Sequence, residues 1–280
     1  MKKGFLFLCL SLLVFLSTSC SFSHLLKSDD TEKKYTMAMK LYEEKDYSRA
    51  LQLFDQLMGL MRATDKAQKI YYCQAYCYYY SKDYTMAAYY FKRFSANFPA
   101  TREAEECTYM SAYCNTLLSP EYSLDQTTTH DAIKELQAFI NTYPESKRIP
   151  DCNDLIDKMR AKLELKDYKI AILYFRMEDY LAAIASFNNI LKDYPETARK
   201  EEIMFNIFRS YNKYALKSID LKKRDRILRA FTAYNDFKNL YPNSQYASEA
   251  KSMRDKSQKQ LDLLATKTIK NPDHIPINQN

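Results

Sequence analysis

Asp46-Tyr47-Ser48-Arg49-Ala50-Leu51-Gln52-Leu53-Phe54 returns as Asp83-Tyr84-Thr85-Met86-Ala87-Ala88-Tyr89-Tyr90-Phe91, and again as Asp179-Tyr180-Leu181-Ala182-Ala183-Ile184-Ala185-Ser186-Phe187. Self-similarity of this kind signals a repeat architecture whose unit is one supersecondary element. Working outward, a proline stands twelve residues after an alanine in four copies: Ala87 to Pro99, Ala132 to Pro144, Ala183 to Pro195 and Ala230 to Pro242. Each proline follows an aromatic residue and precedes a hydroxyl residue two places on: Thr101, Ser146, Thr197 and Ser244. Proline ends the outgoing helix, because it lacks an N–H and restricts the residue before it. The hydroxyl is expected to cap the next helix through its side-chain oxygen. The alanine permits close helix approach, and the aromatic four residues later fills the space behind it.

Ala75 and Ala171 lie twelve residues before Ala87 and Ala183, where a partner helix needs a small residue. Tyr71, Gln74, Ala75 and Tyr78, then Ala87, Phe91 and Pro99, resemble the tetratricopeptide (TPR) signature; the first repeat matches with Ala38, Ala50 and Phe54 but has Arg62 in place of the proline. The resemblance implies an all-α TPR solenoid of about five helix hairpins with a C-terminal capping helix. The alanines at 50, 87, 132, 183 and 230 are 37, 45, 51 and 47 residues apart, against about 34 in a plain repeat. The excess falls in a polar insertion from Ser119 to Thr129, a lengthened first helix from Pro150 to Arg176 and a charged loop from Leu216 to Arg224. The expected division is a signal peptide (1–19), a lipid-anchored linker (20–30) and a solenoid over 31–266. Its repeats fall near 31–63, 64–100, 101–145, 146–196 and 197–243, with a cap over 244–266 built on a helix from Ala247 to Leu264 and a disordered tail over 267–280.

Composition excludes much else. The only glycines are Gly4 and Gly59, so phosphate-cradling loops and dinucleotide folds, which need glycine for close backbone approach, are ruled out. A β fold rich in tight turns would also need more. Against that scarcity stand 25 Tyr, 15 Phe and no Trp. Nucleophilic catalysis needs a base beside its Ser or Cys, and His24, His130 and His274 lie far apart. Glu105-Glu106 and Glu201-Glu202 are adjacent in sequence, so they point to different sides of a helix instead of facing each other across a cleft. The expectation is a binding protein: not an enzyme, without cofactor or metal.

Lys2 and Lys3, the apolar run Phe5–Leu16 and Ser17-Thr18-Ser19-Cys20 make a secretory signal. The apolar run is too short for a membrane span, which takes about 20 residues. Small residues before a cysteine resemble a bacterial lipobox, with Leu16 one place earlier than usual. That resemblance implies that Cys20 is lipid-modified; an ordinary signal peptide with an incidental cysteine is the alternative. Ser21, where an Asp would resemble an inner-membrane retention signal, points to the outer membrane, and the lack of an acidic cluster directly after Cys20, with Asp29-Asp30 coming late, to its periplasmic leaflet. Losing Lys2 and Lys3 lowers the net charge from +7 to +5, and an exported basic chain does not call for nucleic acid. Beyond Cys9 and Cys20 there remain Cys73, Cys77, Cys107, Cys114 and Cys152. They suit helix faces as small apolar residues; a Cys77–Cys114 disulfide is a second reading, and zinc a poor third because CxxC spacing and nearby histidine are missing.

Stacked repeats line one wall with equivalent first-helix positions. Here these are Tyr35, Tyr42, Tyr72, Tyr76, Tyr79, Tyr109, Tyr113, Tyr168 and Phe175. Tyrosine offers large contact area with a polar tip, so the first seven are candidates for holding an apolar, aromatic-tipped client. Inter-repeat packing is the competing reading. Lys222, Lys223, Arg224, Arg226 and Arg229 form a basic run at the fifth hairpin; it suits either a solvated face or an acidic partner, where charge raises the on-rate more than affinity.

Lipobox, repeat number and two stretches, Ser119-Pro120-Glu121-Tyr122-Ser123-Leu124-Asp125-Gln126-Thr127 and Leu163 through Tyr180 to Asp193-Tyr194-Pro195, together resemble the BamD family over nearly the whole mature chain. The resemblance implies a lipid-anchored adaptor of the outer-membrane β-barrel assembly machinery. It further implies that the C-terminal repeats bind the POTRA region of a BamA-like barrel-inserting subunit and the N-terminal repeats meet unfolded barrel clients. Two other readings use the same features: a lipidated TPR pilotin for a secretin, and a glycan-binding uptake lipoprotein, which the absence of tryptophan disfavours.

Overall fold

The computed structural model describes residues 22–62 and 64–270, with side chains through residue 266. The leader and Cys20 therefore lie outside the described residues, as does the tail from residue 271. Within the described residues all regular structure is helical. A single turn over 22–27 (α1) precedes α2 (Thr31–Glu43), α3 (Tyr47–Leu60), α4 (Ala67–Tyr80), α5 (Tyr84–Asn97), α6 (Arg102–Leu118) and α7 (Thr127–Thr142). Then follow α8 (Ile149–Arg176), α9 (Tyr180–Asp193), α10 (Lys200–Leu216), α11 (Asp220–Leu240) and α12 (Ala247–Lys270). The fold is an all-α TPR solenoid.

Three hairpins are closed by one device. Lys45, Lys82 and Glu178 adopt φ of 63°, 62° and 65°, the left-handed conformation that ends a helix. In each case that residue's N–H and the next one return to the carbonyls of the last helical turn. Lys82 N–H donates to Tyr79 O and Asp83 N–H to Tyr78 O, both at 3.0 Å; Lys45 and Asp46 do the same onto Tyr42 and Leu41, and Glu178 and Asp179 onto Phe175 and Tyr174. The aspartate then caps the next helix, accepting from Arg49, Met86 or Ala182 N–H at 3.1 Å. One Asp thus finishes one helix with its backbone and starts another with its side chain.

The chain divides into two compact units, Met1–Arg160 and Ala161–Asn280. In the first, Ala38, Ala50, Leu53, Phe54, Leu57 and Ile70 form one core cluster, and Tyr71, Ala75, Ala87, Phe91, Phe94, Cys107, Leu136 and Phe139 another. In the second, Ala171, Ala183, Phe187, Ile190 and Ile203 pack together, as do Phe205, Phe208, Phe237 and Ala250. Each buried Leu, Ile or Phe side chain contributes roughly 1.5–3 kcal/mol. The signature alanines 38, 50, 75, 87, 112, 132, 171, 183 and 230 are all buried, as close helix approach requires. Pro150 sits in the first turn of the 28-residue α8, where its missing N–H costs nothing.

Several expectations are corrected. The hydroxyls after the prolines do not cap the helices as expected. Thr101 occupies the N-cap of α6 without a side-chain cap bond. Ser146, Thr197 and Ser244 instead accept the N–H two residues on, before the helix begins. The supposed loop over 216–224 is shorter, since α11 starts at Asp220, an acid in the first turn. At the insertion, Thr127–Thr129 already belong to α7. Residues 22–27 are helical within the expected linker, with Phe22, Leu25 and Leu26 packed on the first core cluster. Buried Lys34 donates to Leu26 O at 3.1 Å and Gln56 Oε1 at 2.7 Å. Residues 267–270, expected in the tail, continue α12; neither Pro nor Gly interrupts the stretch before Pro272. The five cysteines are buried and free. Cys77 packs in the first core cluster and Cys114 in the second.

Candidate functional site

The first unit places six of its seven named tyrosines in a lattice of rings centred on α4. Tyr42 meets Tyr47 edge-on at 6.0 Å, and Tyr47 stacks on Tyr80 at 5.0 Å. Tyr80 neighbours Tyr76 at 5.7 Å and Tyr79 at 5.5 Å; Tyr72 lies 4.8 Å from Tyr76. Tyr79 approaches Tyr113 at 6.5 Å, and Tyr113 stacks on Tyr109 at 5.9 Å. Tyr35 stands apart, under Lys66 at 4.8 Å. In the second unit Tyr168 is buried against Phe187, while Phe175 is half-buried. The register reasoning missed Tyr47 and Tyr80, although Tyr80 at 48% is the most exposed ring of the lattice. Both flank a hairpin turn, and the adjoining Tyr78-Tyr79-Tyr80 run was the available signal.

None of the named rings in the first unit is fully exposed, and Tyr109 is buried. Their hydroxyls also have internal uses. Tyr76 donates to Glu106 Oε1 at 3.0 Å, and burial first, with the Glu106 carboxylate adding to it, pushes its phenol far above the ordinary tyrosine value. Burial likewise raises Tyr42, Tyr72, Tyr79 and Tyr109. These rings offer edges, apolar faces and neutral hydroxyls, not acid–base chemistry.

Glu106 leads to a device that sequence reasoning did not find. Arg148, at the start of the fourth repeat, pairs with Glu106 in the third and lies over Tyr109 at 4.2 Å. Beside it Ser146 donates to Glu105 at 2.5 Å. In the second unit Thr197 donates to Glu164 at 2.6 Å, and Arg199 pairs with Glu164 at 3.7 Å while lying over Tyr168 at 5.3 Å. Ser244 donates to Glu201 at 2.5 Å, and Tyr246, taking the arginine's place, stacks on Phe205 at 4.6 Å. Lys66 pairs with Glu32 in the same sense. The acidic residues of the adjacent Glu pairs are therefore junction braces. Their signal was an acid six or seven residues before the helix's central small or aromatic residue: Glu32 before Ala38, Glu105-Glu106 before Ala112, Glu164 before Ala171 and Glu201-Glu202 before Phe208.

The basic run lies on the first turns of α11, not in a loop. Lys223 pairs with Asp220 at 3.2 Å, and Arg226 lies over Tyr214 at 4.0 Å while donating to Ser218 at 2.6 Å. Lys222, Arg224 and Arg229 are exposed. Arg229 rims a groove of about 340 Å³ with Leu191, Met204, Tyr211 and Asp236. Among the described residues there is no cluster of three potential metal ligands, and no helix long and apolar enough to cross a membrane.

The family model of YfiO, an outer membrane lipoprotein, matches residues 27–227, from the end of α1 into α11. The chain belongs to that family. Two curated proteins similar to it are each an outer membrane protein assembly factor BamD. One, from Buchnera aphidicola subsp. Acyrthosiphon pisum (strain APS), is 29% identical over 103 residues, covering 37% of this chain and 41% of that one. The other, from Rickettsia prowazekii (strain Madrid E), is 26% identical over 134 residues, 48% of this chain and 49% of that one. The chain thus spans less than half the length of the curated relatives it matches. Solved helical-repeat proteins are also similar. The P58(IPK) TPR domain has a TM-score of 0.41 and 14% identity, over 86% of this chain and 68% of that one. A TPR repeats protein from Bacteroides fragilis has a TM-score of 0.40 and 14% identity, over 83% of this chain and all of that one. The family match takes in the whole tyrosine lattice and Lys222 to Arg226; Arg229 and α12 lie beyond it.

Proposed function

We propose that this chain is a non-enzymatic assembly factor for outer-membrane proteins, carried on the periplasmic leaflet by a lipid on Cys20 after removal of residues 1–19. The observation that carries this reading is the family match over residues 27–227, together with relatives named as BamD assembly factors. In this reading the second unit binds the POTRA region of a barrel-inserting subunit, with Lys222, Arg224 and Arg229 as the free charges. The first unit meets unfolded barrel clients over the rim of the tyrosine lattice. Tyr109, beneath Arg148, serves packing, whereas Tyr79 and exposed Tyr80 can be reached.

The test is purification of the tagged, lipidated chain from outer membranes in mild detergent, with mass spectrometry of stoichiometric partners. A large barrel protein with POTRA domains is expected. Recovery of a secretin, or of a sugar-uptake barrel, overturns the reading. Tyr79→Ala with Tyr80→Ala is expected to weaken capture of an unfolded barrel client while helicity is retained; loss of helicity would assign these rings to packing alone.

A further inference from the structure

A second basic surface lies on the other side of α10 from the α11 run. Arg209 and Lys213 on α10 face Ser248, Ser252, Met253 and Lys256 on α12 across a groove of about 550 Å³. Among the described residues none of the three cations forms an ion pair. Lys213 influences Glu178 electrostatically, but the ion pair there belongs to Lys217. Glu249 is the single acid in the lining, so three positive charges stand against one negative. Arg209 lies over the Phe175 ring at 4.5 Å. Stacking occupies the face of a guanidinium and leaves its in-plane N–H fork available for a carboxylate.

From this arrangement we propose that the α10–α12 groove binds an extended acidic peptide segment with carboxylates at alternate positions. Spacing decides the shape of the ligand. Arg209 and Lys213, four residues apart, are about 6 Å apart along their helix, and Ser248, Ser252 and Lys256 step along α12 by the same interval. A strand advances about 6.6 Å every two residues, with those side chains on one face. Alternate carboxylates therefore match the four-residue step of the groove, while Met253 and the two serine hydroxyls suit the small side chains and backbone between them. A compact anion would need the cations to converge on one point instead of being strung along two helices. The α12 wall lies outside the family-matched residues, and this site is separate from the surfaces assigned above.

The test uses the full chain in detergent and a fluorescent decapeptide alternating Asp with Ser, read by anisotropy, with an Asn-for-Asp twin as control. The Asp peptide is expected to bind at least about tenfold more tightly than its twin at low salt, a difference of about 1.4 kcal/mol, and to weaken as salt rises. Lys213→Glu with Lys256→Glu is expected to abolish that preference, Arg209→Lys to weaken it through loss of the fork, and Glu249→Gln to strengthen it. Lys222→Glu with Arg224→Glu is expected to leave it unchanged, with circular dichroism confirming fold in every variant. Equal binding of the twin, or an equal loss from the Lys222 and Arg224 changes, overturns the proposal. So does binding of inorganic phosphate or phosphatidylglycerol vesicles, but not peptide, in a manner dependent on Lys213 and Lys256. If peptide binds only after residues 271–280 are deleted, the occupant is this chain's own tail and the partner reading is overturned.

Discussion

Lys45 and Lys82 hold left-handed backbone, with φ of 63° and 62°, in a chain whose two glycines lie elsewhere. An L-residue pays roughly 1–2 kcal/mol for that conformation, and glycine does not. Glycine in turn loses about 0.4–1 kcal/mol more backbone freedom on folding than a residue with a side chain. The net gain from Lys→Gly is about 0.5–1 kcal/mol at each site. The two turns are 37 residues apart in sequence, and both side chains are exposed and form no ion pair among the described residues. Their effects should add, giving about 1–2 kcal/mol for Lys45→Gly with Lys82→Gly. At about 2–4 °C per kcal/mol for a chain of this size, Tm should rise by about 2–8 °C. Thermal melts followed by circular dichroism at matched protein concentration would read it. Lys45→Ala with Lys82→Ala keeps the Cβ and should leave Tm near the parent value. A double glycine variant no more stable than the double alanine variant refutes the reasoning, because the relief of backbone strain would then not exceed glycine's extra entropy loss.

Removing an N-cap should have the opposite sign: Asp83→Ala leaves Met86 N–H without its acceptor and should cost about 1 kcal/mol in urea unfolding. Arg148→Gln removes both the pair with Glu106 and the cover on Tyr109. It should destabilise by about 1–2 kcal/mol, and a cycle with Glu106→Gln should return a coupling energy above about 0.5 kcal/mol. The cysteines should resist a thiol reagent at pH 8 until the chain unfolds, since burial raises Cys73 and Cys152 to about 11 and Cys114 to about 12. These folded values exceed the unfolded thiol's value of about 8.5. The neutral thiols therefore contribute full stability below about pH 8.5 and lose it as pH rises through the folded values; Cys73→Ala with Cys114→Ala should flatten that alkaline decline. The Asp46 carboxyl is held below its ordinary value by the Arg49 hydrogen bond. Its contribution is present above the unfolded aspartate range and lost as pH falls through the lowered folded value, so Asp46→Asn should soften the acid limb of unfolding below about pH 4.

The hairpins were legible because each rests on short-range chemistry. Asp83 caps from within four residues, Pro99 stops a helix by lacking one N–H, and Ala87 is small enough for a neighbouring helix to lie against it. The lengthened α8 could also be read, since Glu164 through Arg176 contains neither proline nor glycine. The hydroxyl residues were misread for a related reason. Local geometry offered Ser146 a cap, but Glu105, 41 residues earlier, gives its hydroxyl proton a charged acceptor that sequence proximity does not reveal. The tyrosines show the same limit. Register assigns Tyr76 and Tyr109 to equivalent helix faces, while the degree to which each ring is covered depends on Glu106 and Arg148 arriving from other repeats. The basic run needed tertiary contacts as well: Arg226 is committed to Tyr214 and Ser218 and Lys223 to Asp220, which leaves Lys222, Arg224 and Arg229 exposed.

The junction braces have a direction. Lys66, Ser146, Arg148, Thr197, Arg199 and Ser244 each reach back from the opening of one repeat to an acid in the first helix of the repeat before it. A chain delivered amino end first therefore presents the first, third, fourth and fifth repeats with their glutamates still waiting for these partners, while α4 of the second repeat carries no acid. Glu105 is answered only when Ser146 arrives 41 residues on, Glu106, already accepting from Tyr76, gains Arg148 42 residues on, and Glu201 waits for Ser244. Each hairpin braced in this way is provisional until its successor closes over it, so maturation should advance as a travelling seam from the amino end. A truncation between repeats should fray the last retained hairpin and not merely shorten the array.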